Sequence, residues 1–144
     1  MDINKKVLNE VSKGSKMGMD AIKFVSDKVS DSRFQNVLSV EYGKYKNIFE
    51  RVDQIYPNYD KIDDPQETST MNKMMTWYGV QMKTMTDKSN SKISELLLQG
   101  TNMGIIEGRR LLNNNPSVDN EVKQILNDFV TMQEDSVETL KKYL

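Results

Sequence analysis

Neither histidine nor cysteine occurs in this chain of 144 residues. The missing imidazole excludes the commonest metal ligand and the side chain that titrates nearest neutral pH. Most zinc sites and Ser-His-Asp catalysis go with it. The missing thiol excludes a disulfide framework, a thiolate metal site and a cysteine nucleophile. An excess of charge is lacking too: 20 Lys+Arg stand against 21 Asp+Glu, interspersed along the chain. A nucleic-acid surface needs clustered positive charge to displace counterions from phosphates, so none is expected. Long apolar runs are absent; Leu96-Leu97-Leu98 is far too short to span a bilayer. The start Met1-Asp2-Ile3-Asn4-Lys5-Lys6 carries no apolar signal core, so a soluble cytoplasmic protein is the expectation. No glycine-rich phosphate loop, dinucleotide fingerprint or catalytic phrase is found, and no cofactor is implied.

What the chain has is helical periodicity and a repeat. Ile3, Val7, Val11, Gly14, Gly18, Ala21, Val25 and Val29 recur at steps of three and four, which predicts a helix over 3–29. Ser32 with Gln35 reads as a capping box opening a second helix striped by Phe34, Leu38, Tyr42, Tyr45, Ile48, Val52 and Ile55. Asp64-Pro65 with Glu67 is a start signal for a connector helix over 65–86, striped by Met71, Met74, Met75, Tyr78, Met82 and Met85. Asp87, Ser89, Asn90 and Ser91 favour caps and turns over helix interiors, so a turn is expected at 86–91. A fourth helix over 91–112 follows. After Asn113-Asn114-Asn115-Pro116, a fifth is striped by Val122, Ile125, Leu126, Phe129, Val130, Val137, Leu140 and Leu144.

Gly14-Ser15-Lys16-Met17-Gly18 is answered by Gly100-Thr101-Asn102-Met103-Gly104, at an offset of 86 residues. Val7 pairs with Ile93, Val11 with Leu97 and Val25 with Leu111. At an offset of 88, Phe34 pairs with Val122, Leu38 with Leu126 and Glu41 with Phe129. The chain therefore reads as one all-α domain. It is an up-down bundle of two repeated hairpins, 3–56 and 91–144, joined by a helical crossover.

That layout resembles the ferritin-like superfamily, in which two helical hairpins are joined through a long crossover. The phrase Gly100-Thr101-Asn102-Met103-Gly104-Ile105-Ile106, with the ending Val137-Glu138-Thr139-Leu140-Lys141-Lys142-Tyr143-Leu144, is similar to small clostridial proteins, which implies a bacterial source. The superfamily's di-metal centres use a Glu from each of two helices and Glu-x-x-His from two others. Here Glu41 and Glu134 are followed three residues on by Lys44 and Val137, so the pattern lacks both histidines and no metal site is expected. If the inward carboxylates bind a ligand or metal, Glu41, Glu107, Asp20 and Glu134 are the candidates.

Gly14, Gly18, Gly100, Gly104 and Gly108 lie at spacing four on two helix faces, although glycine in a helix costs about 1 kcal/mol relative to alanine. Close helix packing, backbone to backbone, is the expected return, with clearance for a ligand as the alternative. The methionines of the connector read as adaptable core filler, and as soft Cu(I) ligands only secondarily. Trp77 falls off the stripe and is a candidate subunit contact. The functional expectation is a non-enzymatic bundle acting through protein–protein contact or self-association. The alternative is a ligand- or metal-binding bundle.

Overall fold

The computed structural model describes residues 2–59 and 70–144. Among these residues every regular element is helical: α1 (Ile3–Ser26), α2 (Ser32–Ile55), α3 (Thr70–Lys83), α4 (Asn90–Asn114) and α5 (Asn120–Leu140), with short 3-10 turns at Tyr56–Asn58 and Lys141–Tyr143.

The caps explain the boundaries. Asp2 accepts from the backbone of Asn4 and opens α1. Asp31, not Ser32, caps α2: its carboxylate accepts from the amides of Arg33 and Phe34. The capping box foreseen at Ser32 is thus displaced by one residue, because a carboxylate is available one position earlier and satisfies two free amides at once. Gln35, assigned to that box, instead donates to the Val29 carbonyl across the α1–α2 loop. α1 stops at Ser26, short of the expected 29, and Val29 is buried within the loop. Ser89 caps α4 through the Lys92 amide. The chain is non-helical from 84 to 89, so α3 ends at Lys83 and the expected turn is present. The Asp64-Pro65 start signal lies outside the described residues.

Hydrogen bonds fix the directions. Lys5 Nζ lies over the Tyr56 ring at 5.5 Å, so the start of α1 meets the end of α2. The Asp119 amide donates to Asn4 Oδ1 at 2.7 Å, so α1 and α5 start side by side. Asn90 Nδ2 donates to Asp31 Oδ2 at 3.4 Å, placing the start of α4 where α1 has just ended. Ser94 Oγ donates to the Leu140 carbonyl, so α4 and α5 are antiparallel. The order is up, down, crossover, down, up. α3 carries the chain back along α1, with Met71 beside Gly14 and Met82 beside Ala21 and Phe24.

α1 touches all four other helices. That is why it buries more than the stripe foreseen for it: Leu8, Ser15, Met17 and Ile22 are interior as well as Val7, Val11, Ala21 and Val25. The hydrophobic core runs continuously from Phe34, stacked on Tyr143 at 4.4 Å between ring centres, through Leu38, Phe129 and Ile93 to Val52 and Val122. No helix among the described residues is long and apolar enough to cross a membrane.

Candidate functional site

Five of the seven glycines are packed, though in a manner the sequence did not reveal. A Cβ built on Gly18 would stand 2.6–2.7 Å from three atoms of the Tyr45 ring. On Gly14 it would stand 2.7 Å from Phe129 Cζ, and on Gly108 2.5 Å from a Val130 methyl. At Gly100 the Tyr78 ring occupies the space, and at Gly104 the Gln133 amide does so. The glycines therefore receive side chains from neighbouring helices; close backbone approach is not what they serve. Gly100 meets the connector helix and not another member of the four-helix core.

The polar centre of the molecule lies at this level. Glu41 on α2 is 3% exposed, Ser136 on α5 1%, Tyr45 5%, Tyr78 4% and Thr101 on α4 6%. Ser136 Oγ donates to Glu41 Oε2. Lys44, one turn along α2, places Nζ 3.1 Å from Glu41 Oε1, with its own side chain about one-third exposed. The Thr101 hydroxyl donates to the Leu97 carbonyl at 2.7 Å and pairs with the Tyr45 phenol. Burial pushes the Tyr45 phenol well above the usual tyrosine range; the Thr101 bond opposes this and the Glu41 charge adds to it. Burial likewise raises Tyr78, helped by its proximity to Tyr45. These side chains, with Gly18, Gly100 and apolar neighbours, line an internal cavity of about 20 Å³, roughly the space of one water.

Glu41 was foreseen as an inward carboxylate, and it is one. The other three candidates sit elsewhere. Glu107 is mostly covered and pairs with Arg110 at 3.5 Å. Glu134 pairs with Arg109 at 2.8 Å, and Asp20 with Lys16 at 3.3 Å, both well exposed. Among the described residues no group of three or more Asp or Glu comes close enough to hold a metal ion. The four carboxylates are not brought together.

Tyr45 was read from the sequence as part of the α2 stripe; Thr101, Ser136 and Gln133 were not singled out. A signal existed for two of them. The apolar stripe of α5 runs Val122, Leu126, Phe129 and then meets Gln133 and Ser136 before resuming at Leu140; both polar residues are about 1% exposed. Among the described residues Gln133 Nε2 and Ser15 Oγ are buried without a hydrogen-bond partner, at a cost of about 1–3 kcal/mol per such group.

The surface offers a second kind of feature. Among the described residues a Cβ at Gly43 or Gly79 would meet nothing within 4 Å. Gly43 lies one turn from Val40, which is 59% exposed; on α3, Trp77 at 40% and Val80 at 53% lie one turn apart on the outer face, while Gly79 is turned toward α1. Gly79 also borders a groove of about 220 Å³ between α1 and α3, walled by Phe24, Met75 and Met82 and rimmed by Asp20 and Lys83.

No protein-family model, curated protein or solved structure matches the chain.

Proposed function

We propose that this chain is a non-enzymatic helical bundle of ferritin-like layout, built from two repeated hairpins, that acts by protein–protein contact, with self-association through the outer face of α3 as its first form. The observation that carries this reading is the exposed apolar pair Trp77 and Val80, one turn apart on the outer face of α3. Glycine inside a helix costs about 1 kcal/mol relative to alanine. Five of the seven offset that cost by admitting a neighbour's side chain; Gly43 and Gly79 do not. Gly43 is set beside the exposed Val40, where a bare backbone would let another helix approach. The α3 face is the stronger of the two. Trp77 and Val80 stand among Lys73, Thr76, Lys83 and Thr84, all exposed, and aromatic residues are enriched at protein interfaces while lysine is depleted there and suits a rim.

The repeat is supported by the way equivalent positions pack. Gly18 receives Tyr45, and at offsets of 86 and 88 Gly104 receives Gln133. The up, down, crossover, down, up path supports the ferritin-like layout. The carboxylates do not support a metal role, as each is engaged by a Lys or Arg at 2.8–3.5 Å.

Trp77 is the only tryptophan, so its emission reports directly on coverage of the α3 face. Light scattering after size exclusion, over a wide concentration range, is expected to show an oligomer that forms with a blue shift of that emission. Trp77→Lys should abolish the oligomer by mass, and Val80→Lys should abolish both signals. A monomer at every concentration, with constant emission, would reject self-association through α3.

A further inference from the structure

We propose that the buried polar cluster around Glu41 is a binding site for a small organic ammonium ion, entered from the α1–α3 groove and closed in this structure by the Tyr78 ring. The inference goes beyond protein contact and rests on observations independent of it.

The two hairpins treat equivalent positions differently. Residue 129, a phenylalanine, puts its ring against Gly14 and fills that half of the core. Its counterpart at the offset of 88 is Glu41. In that half the ring is replaced by a carboxylate beside the small internal cavity that Gly100 also lines. Interiors are normally close-packed, and a buried carboxylate is costly unless paired. A void and a carboxylate kept together at the middle of a core have the character of a site.

The cavity and the groove share three walls: Met17, Ala21 and Tyr78. Met17 and Ala21 are on the long α1. Tyr78 is on α3, and its ring lies over Gly100. Rotation of this one side chain off Gly100 joins the outer space to the inner one. The result is an apolar passage ending at Glu41. Its volume, about 220 Å³ in the groove and about 20 Å³ within, is below the ~300 Å³ of the smallest common ligand pockets. A single ring or short chain fits.

The chemistry of the inner end selects charge. Glu41 is an acceptor, and its carboxylate already takes one ammonium, Lys44 Nζ at 3.1 Å, from the surface side. An incoming ammonium carries three donors. It can meet Glu41 from the cavity side and the Thr101 and Tyr45 hydroxyls with its remaining protons. The Tyr45 and Tyr78 rings offer π faces to a desolvated cation. Lys44, partly exposed, can withdraw to water as the ligand arrives. A metal ion finds too few carboxylates here, and an anion would meet Glu41 unfavourably.

The test uses phenethylamine and its neutral counterpart 2-phenylethanol, titrated into the full chain and followed by amide shifts and calorimetry. Phenethylamine is expected to shift the amides of Gly100, Thr101 and Ser136, and to bind at least tenfold more tightly than the alcohol. Glu41→Gln should lose that preference. Lys44→Met removes the competing ammonium and should tighten amine binding several-fold. It also decides the matter if Glu41→Gln fails to fold. Tyr78→Ala opens the partition and should speed entry. Equal affinity for amine and alcohol, amine binding unchanged in Glu41→Gln, weaker amine binding in Lys44→Met, or no amine binding by either wild type or Tyr78→Ala would each overturn the proposal.

Discussion

Adding one methyl group at Gly18 and the same group at Gly79 should move stability in opposite directions. Both residues lie inside helices, so alanine gains about 1 kcal/mol at either from backbone propensity. At Gly79 nothing among the described residues lies within 4 Å of the new methyl, and the gain is kept. At Gly18 three carbons of the Tyr45 ring stand at 2.6–2.7 Å. Carbon atoms rest at about 3.5–4.0 Å, so the ring must retreat by roughly 1 Å. It has little freedom to do so, being 5% exposed and tied to Thr101. Overpacking of this kind typically costs 1–3 kcal/mol. After the propensity gain, Gly18→Ala should be destabilised by up to about 2 kcal/mol. At about 2–4 °C per kcal/mol for a chain near this size, Gly79→Ala should melt a few degrees above wild type and Gly18→Ala several degrees below. Urea unfolding with unchanged m-values would assign the shifts to the folded state. If Gly18→Ala is stabilised as much as Gly79→Ala, the Tyr45 ring is not seated on Gly18 and the packing argument fails.

Alkaline titration at the tyrosine absorbance should show that Tyr45 and Tyr78, both raised by burial, resist ionisation until the chain unfolds. Their folded pKa values are raised, so the stability they contribute is full below about pH 10, the unfolded value, and is lost progressively above it; a melting temperature flat across that range would contradict their burial. Gln133→Met removes a buried, unpaired NH₂ at nearly constant volume and should raise stability by about 1 kcal/mol or more in urea unfolding; a loss would mean that the amide has a partner. Arg51→Ala breaks the pair with Asp128 at 2.9 Å, one-third exposed on both sides, and should change stability by no more than about 1 kcal/mol. Elemental analysis after expression with added iron and manganese should find neither metal near one equivalent per chain, and a stoichiometric metal would reverse the reading of the carboxylates.

The helices were legible because their apolar residues keep a regular step and their ends carry acidic or hydroxyl caps. Asp31 was missed as a cap because Ser32 with Gln35 satisfies a familiar pattern, and the sequence does not say which oxygen reaches the free amides. The extra burial of α1 was illegible for a different reason. A stripe records one face, and α1 is central only because α3 folds back beside it, which depends on the chain as a whole. The same applies at Gly100. Its need for space is visible in the sequence; that a tyrosine on the crossover supplies the occupant is not. Glu41 stood out as a charge on an apolar face. Tyr45 was visible on the same stripe; Thr101 and Ser136 were not, since hydroxyl residues are common at helix edges and become a cluster only when three helices converge.

The non-helical link from 84 to 89 gives α3 the status of a guest tied to its host. Its side chains Met71 and Tyr78 occupy spaces at Gly14 and Gly100 that belong to other helices. A short tether of this sort holds its cargo at an effective concentration on the order of millimolar. A free helix of equal intrinsic affinity, present at micromolar concentration, would be outcompeted about a thousandfold. The bundle therefore keeps its own crossover seated against casual rivals. A specific partner that grips the outer face around Trp77 and Val80 would pull on the same helix whose Tyr78 closes the interior.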